Sequence, residues 1–176
     1  MNALITGFPG TGKSAITGEL KRRGYYAYDI EHIPGMVYCR DRQTGRKITP
    51  PEPVPSGWYD TVGEQVWDVI KLEQLLSAAH DVFICAFTHT IFDDFSLFDR
   101  CFLLTLDDME LEQRLLSRPG NTIGKNPREL SDILLRRKEF EARLLEKGAL
   151  ELNARTEPKD LVTKVLDICY DHRPLA

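Results

Sequence analysis

Eight residues near the start of the chain, Gly7-Phe8-Pro9-Gly10-Thr11-Gly12-Lys13-Ser14, hold three glycines, a proline, a lysine and a serine. The spacing Gly-x-x-x-x-Gly-Lys-Ser suits a loop that wraps a phosphate chain. Glycine admits backbone conformations closed to other residues, so successive amide N–H groups can face inward. The positive end of a following helix adds to their attraction for phosphate oxygens. Lys13 contributes a point charge that reaches the β- and γ-phosphates. Ser14 offers the hydroxyl that Mg²⁺, a cation that prefers oxygen ligands, takes as a ligand. Gly7, Pro9, Gly10, Thr11, Gly12, Lys13, Ser14 and Ala15 are therefore the candidates for binding phosphate and metal. Chance yields this pattern in roughly one chain of this length in two hundred. An ordinary Gly-rich turn is the weaker reading.

Three further groups of residues can do chemistry. In Tyr28-Asp29-Ile30-Glu31, the two carboxylates are two residues apart and share a side if a strand continues through them. A carboxylate beside a terminal phosphate can orient an acceptor O–H or hold a Mg²⁺-bound water. A solvated strand end or a helix cap is the plainer alternative. Arg114 and Arg118, four apart, lie on one helix face, and a guanidinium suits either stacking or phosphate binding. Helix-surface arginines are also common. The apolar run ending Phe87-Thr88-His89-Thr90 lacks the Asp that closes many strands of phosphate-binding folds. That leaves Thr88 or His89 to meet a substrate, or His89 as polar surface.

These residues must be positioned by regular elements. Apolar stretches predict strands at Ala3–Thr6, Tyr25–Tyr28, Val82–Phe87, Cys101–Leu106 and Ala149–Leu152. Helical spacing predicts helices at Lys13–Arg23, Thr61–Leu76, Asp108–Arg118, from Pro127 through Leu144, and Pro158–Tyr170. Asp107 and Asn126 are read as N-caps. The second of these helices rests on Val62, Val66, Val69 and Ile70. Strands alternating with helices imply an α/β fold, a parallel sheet covered on both faces.

Two segments interrupt the rhythm. Pro34–Asp60 contains five prolines and three glycines and is too long for a passive connection. It is assigned to the acceptor, with Arg40 and Arg42 for an anionic group and Trp58 and Tyr59 for stacking or packing. Packing is the preferred role for Trp58 alone. Ser117–Asn126 is a Gly/Pro/Asn insert between two helices.

Taken together, the loop and the order of elements resemble the small P-loop kinases of the nucleoside-monophosphate-kinase-like and shikimate/gluconate-kinase-like group. Arg118-Pro-Gly-Asn-Thr-Ile-Gly-Lys-Asn-Pro-Arg-Glu-Leu130 also looks like the lid of small P-loop proteins described as kinases or ATPases. The resemblance spans nearly the whole chain in order of elements, and only the P-loop is highly specific. It implies a three-layer P-loop NTPase fold with a five-stranded parallel sheet, a small lid at 117–126, and use of ATP with Mg²⁺. It implies that Asp29 and Glu31 serve the metal and the acceptor hydroxyl, Glu31 replacing the second Asp of an Asp-x-Asp pair. It places Arg114 near adenine and Arg118 on phosphate. Lys125, Arg136 and Arg137 are secondary candidates for the lid, at least one of the last two being a solvated residue.

Composition narrows the setting. The chain of 176 residues is expected to form one domain over 1–176, and an apolar fraction of 42% is ordinary for a globular protein. No apolar run has the length of a bilayer span, and no basic-then-apolar leader precedes the first strand. Cys39, Cys85, Cys101 and Cys169 form no Cys-x-x-Cys pair, which suits free thiols in a reducing cytoplasm. Arg114–Arg143 carries eight Lys/Arg against four Asp/Glu on a chain of net charge −4. A basic segment on an acidic protein favours a small anionic ligand over a long polyanion. The expected partners are thus a nucleoside triphosphate and a small-molecule acceptor, with neither nucleic acid nor membrane. A nucleotide-dependent regulatory module and a nucleic-acid-end kinase are the rival readings. The first lacks a guanine-reading Asn-Lys-x-Asp, and the second sits poorly with the acidic total.

Overall fold

The computed structural model describes residues 1–55, 57–118 and 124–170. Five strands form one parallel sheet: β1 (Asn2–Thr6), β2 (Tyr26–Asp29), β6 (Val82–Ala86), β7 (Arg100–Thr105) and β8 (Leu150–Asn153). Their order is β2-β6-β1-β7-β8, which puts the loop-bearing strand in the middle.

The pleat explains why the sheet is covered twice. Ala3 and Ile5 of β1, Phe83 and Cys85 of β6, and Phe102 and Leu104 of β7 face one apolar cluster. The alternate residues Leu4, Ile84 and Leu103 face the other, as a period of two requires. Helices α1 (Lys13–Arg22), α4 (Asp108–Ser117) and α6 (Pro158–Tyr170) cover the first side with Ile16, Leu20, Leu111, Leu115, Val162 and Val165. Helices α3 (Val69–Ser77) and α5 (Pro127–Glu146) cover the second through Leu72, Leu76 and Leu144. The expected caps are in place: Asp107 accepts from the Glu110 N–H at 2.9 Å and Asn126 from the Arg128 N–H at 2.9 Å. All four cysteines are buried, and Cys39, Cys85 and Cys101 are free thiols. Among the described residues no helix is long and apolar enough to cross a membrane.

One expected helix is not there. Thr61–Leu76 divides into β5 (Gly63–Trp67) and α3, separated by Asp68, whose side chain caps α3 by accepting from the Lys71 N–H. Val62 and Ile70 are exposed, at 42% and 69%, while Val66 is buried at 3%. The apolar spacing fits a helix face, but tertiary pairing decides the outcome.

That pairing also reshapes Pro34–Asp60. The segment contains β3 (Val37–Asp41), β4 (Lys47–Ile48) and the start of a single-turn helix, α2 (Trp58–Thr61). These strands and β5 make a second, antiparallel sheet of order β4-β3-β5, with Val37 opposite Trp67 and Asp41 opposite Gly63. Asp41 Oδ1 accepts from the Gln43 and Thr44 N–H groups and so fastens the β3–β4 turn. The prolines at 50–55 fall between β4 and α2, where no ladder bond is needed.

Gly63 has no side chain for a visible reason. A Cβ there would lie 2.2 Å from the Trp58 ring and 3.0 Å from Cys39 Sγ. Gly63→Ala should therefore lower stability by about 1–3 kcal/mol through overpacking, read by urea unfolding, with tryptophan emission changed as Trp58 is displaced. An alanine variant with wild-type midpoint and emission would show that Trp58 is not locked in this seat.

Candidate active site

The site begins where β1 ends. Gly12 caps α1 at φ 100°, a left-handed conformation, and offers no side-chain cap. Gly10, at φ 99°, lies so near α4 that a Cβ would be 2.9 Å from Leu111 Cδ1. Thr11 closes the loop on itself, its N–H and its hydroxyl both donating to Phe8 O, at 3.2 and 2.8 Å. The amides of Gly10, Gly12, Lys13 and Ser14 have no acceptor among the described residues. Four such N–H groups at the positive end of a helix form an anion cradle.

Lys13 is buried, and its Nζ donates to Gly7 O at 2.8 Å and lies 3.5 Å from Glu31. Ser14 Oγ donates to Asp29 Oδ2 at 2.6 Å. The other oxygen, Asp29 Oδ1, is buried and accepts no hydrogen bond among the described residues; His32 Nδ1 stands 3.1 Å away. The two acids do not share a pleat, because β2 stops at Asp29 and Glu31 sits in the short turn of 3₁₀ helix Ile30–His32. They converge all the same. Strand β2 runs beside β6, with Asp29 opposite Cys85, and Glu31 Oε1 accepts the Phe87 N–H at 2.9 Å. A carboxylate thus reaches the acid-free end of β6 from the neighbouring strand.

Arg114 donates to Glu110 at 2.9 Å and to Ala154 O at 3.1 Å. It lines a cavity of about 150 Å³ with Gly12, Ala15, Ile16, Thr156 and Leu161, and an Arg155–Asp107 pair at 2.6 Å braces the wall. Arg118 is the residue that ends α4. Of the insert at 117–126, residues 119–123 lie outside the described residues. Lys125 is exposed. Neither of the next two arginines is a simple solvated residue. Arg137 is buried at 3% and donates to Leu106 O at 2.6 Å and to Asp108, tying α5 to the end of β7. Arg136 pairs with Asp60 at 2.8 Å.

The acceptor candidates gather on the small sheet and the end of β6. Arg40 donates to Glu64 Oε1 at 2.6 Å, and Arg42 reaches Glu64 Oε2 at 3.2 Å and Tyr59 O at 3.0 Å. One carboxylate therefore serves two guanidiniums and leaves a net positive charge. Trp58 packs on Gly63 and meets Tyr59 edge-on at 5.0 Å. Thr88 is fully buried with its hydroxyl unpaired among the described residues. His89 is held near a pKa of about 4 by burial, then by Arg42 and Arg136, and stacks on Tyr59 at 5.0 Å. Glu64 and Gln65 escaped the sequence reading because they lay within the expected helix. The available signal was Asp68, a residue suited to capping a helix that starts at Val69 rather than to the interior of a longer one.

A family model for the AAA domain matches residues 4–135. The chain belongs to the AAA domain family. This AAA domain shares its fold with solved small P-loop kinases. Shikimate kinase from Acinetobacter baumannii in complex with shikimate is 14% identical, with a TM-score of 0.61 over 99% of this chain and 95% of that one. Deoxyadenosine kinase from M. mycoides with bound products is 14% identical, with a TM-score of 0.55 over 98% of this chain and 100% of that one. A gluconokinase from Sinorhizobium meliloti is 14% identical, with a TM-score of 0.53 over 98% and 97%. Among proteins of curated description, none matches.

Proposed function

We propose that this protein is an ATP- and Mg²⁺-dependent phosphotransferase whose acceptor is a small hydroxyl- or phosphate-bearing molecule, a nucleoside or nucleotide among the candidates. The observation that carries the reading is the 2.6 Å bond from Ser14 to Asp29, made beside a buried lysine and four unpaired amides. Phosphoryl transfer demands positioning and charge neutralisation more than covalent chemistry, and these groups supply both. The neighbours named as deoxyadenosine kinase, shikimate kinase and gluconokinase support it.

Each residue has a part. The amides of Gly10, Gly12, Lys13 and Ser14 bind phosphate oxygens, with Gly7, Pro9, Thr11 and Ala15 shaping the loop around them. Lys13 exchanges Gly7 O for the β- and γ-phosphates. Ser14 and Asp29 are the residues that would hold Mg²⁺. The fit is chemical: Asp29 Oδ1 is buried without a donor among the described residues, and Ser14 adds a second hard oxygen. Among the described residues no cluster of three or more His, Cys, Asp or Glu could hold a metal unaided. That suits an ion which takes one or two protein oxygens and completes its shell with phosphate and water. When bound, the ion neutralises charge on the phosphates.

Arg114 lies on the adenine side, and Arg118 supplies charge to the group in transit. Glu31, Arg40, Arg42, Trp58, Thr88 and His89 form the acceptor side, with residues 34–60 as its wall. The chain works as one P-loop domain over 1–176. The buried free thiols Cys39, Cys85 and Cys101 fit a reducing cytoplasm.

The test is ADP release across nucleosides, nucleotides, sugars and sugar acids, scored against the acceptor-free background. One chemical class is expected to raise the rate at least about tenfold. ADP release that no acceptor accelerates would make the protein a nucleotide hydrolase.

A further inference from the structure

The ring of His89 is fixed on three sides and keeps one polar atom unused. Its backbone N–H donates to Gln65 O at 2.9 Å, and its Nδ1 accepts the Gln65 N–H at 3.0 Å. The imidazole thus stands in for a carbonyl in a two-bond pair with β5. A ring nitrogen that accepts carries no proton, so the proton of neutral His89 is on Nε2. Tyr59 stacks on the ring at 5.0 Å and 21°, and Phe87 meets it edge-on at 5.6 Å. The two ring nitrogens point apart, so the Nε2–H faces away from β5, and it has no acceptor among the described residues.

Two cations, Arg42 and Arg136, lie close enough to this imidazole to disfavour its protonation. The same turn of α2 that brings Tyr59 onto the ring holds two guanidiniums. Tyr59 O accepts from Arg42 Nε at 3.0 Å, and Asp60 pairs with Arg136 at 2.8 Å. Glu64, the neighbour of Gln65, takes the other side of Arg42 at 3.2 Å. The Asp60 side chain is 57% exposed, so a better-seated anion can replace it on Arg136.

We propose that His89 is a specificity-determining residue that donates its Nε2–H to an anionic oxygen of the acceptor, phosphate or carboxylate, seated between Arg42 and Arg136. The word acceptor rests on the kinase reading above; the anion seat is tested apart from it. A neutral imidazole suits the task because it keeps both its bond to Gln65 and a donor of fixed direction. Two guanidiniums supply the charge. An uncharged sugar would gain nothing from them.

The full chain, labelled with ¹⁵N-histidine, is saturated with Mg²⁺ and a non-hydrolysable ATP analogue so that the cradle is filled. It is then titrated separately with inorganic phosphate and with acetate. Acceptor-dependent ADP release is scored in a parallel assay with ATP, where failure of the kinase reading would appear without touching the histidine signal. At pH 7 His89 is expected as the Nε2–H tautomer, with a saturable shift of Nε2. Response to phosphate alone marks a phosphomonoester acceptor, to acetate alone a carboxylate, and to both a seat that takes either.

His89→Asn keeps an oxygen for the Gln65 N–H and removes the distal donor. It should retain the wild-type unfolding midpoint and lose about tenfold or more in anion affinity. His89→Gln, with an amide N–H near the Nε2 position, should recover much of that loss. If His89→Asn unfolds, the tautomer and the wild-type titration still decide. A proton on Nδ1, no shift with either anion, or wild-type affinity in folded His89→Asn would each overturn the proposal.

Discussion

Lys13→Ala is expected to lower ATP-dependent turnover by about 10³-fold or more while the protein stays folded. The ammonium is buried against Gly7 O and Glu31, next to amides with no partner among the described residues. In the proposed reaction it would meet charge that builds on the transferring phosphoryl group, an interaction strongest in the transition state. The fold should survive because Glu31 keeps the Phe87 N–H as a donor and solvent reaches its side chain, which is 28% exposed. Circular dichroism and the unfolding midpoint check the fold, and acceptor-dependent ADP release checks the chemistry. Full turnover in folded Lys13→Ala would remove the basis for a phosphotransferase.

Asp29→Asn separates charge from shape. The amide oxygen of asparagine can still accept from Ser14 Oγ, so the 2.6 Å contact is kept while the negative charge is lost. Metal-free nucleotide binding should change only a few-fold. Transfer should fall by about 10²-fold or more, the scale of a missing acid–base or metal-holding carboxylate. Nucleotide affinity measured with and without Mg²⁺ should lose its metal dependence. Normal turnover at unchanged Mg²⁺ demand would make Asp29 a structural partner of Ser14 and turn attention to Glu31.

The parts of this site differ in how plainly the sequence announces them. The loop at Gly7–Ser14 is local: its glycines, lysine and serine act through their own backbone and reach, so their order suffices to identify them. The five parallel strands were legible for a related reason, since burial on both faces leaves continuous apolar runs. The small sheet was not. Val37–Asp41 is half polar, and its partner β5 lies more than twenty residues away. Val62, Val66, Val69 and Ile70 satisfy a helical spacing although Val66 belongs to a strand. Arg40 and Arg42 could be read as cations, but not as cations sharing Glu64. Nor could residue types alone bring Glu31 to Lys13; that follows from β2 lying beside β6.

The small sheet is closed on itself. Among the described residues its strands pair only with one another, and the residues that bracket it are joined, the Asp68 N–H donating to Met36 O at 2.7 Å. The chain therefore leaves the parallel-sheet core and returns to it at one point, as at the neck of an inserted domain. The insertion is tied to the core by the Gln65–His89 pair, the stack of Tyr59 on His89, the Asp60–Arg136 ion pair and Trp67 Nε1, which donates to Asp94 at 2.5 Å. In evolutionary terms residues 37–67 form a cassette. Two crossovers, before Val37 and after Trp67, could exchange it between such proteins, altering what the proposed acceptor side selects while the loop at Gly7–Ser14 passes on unchanged.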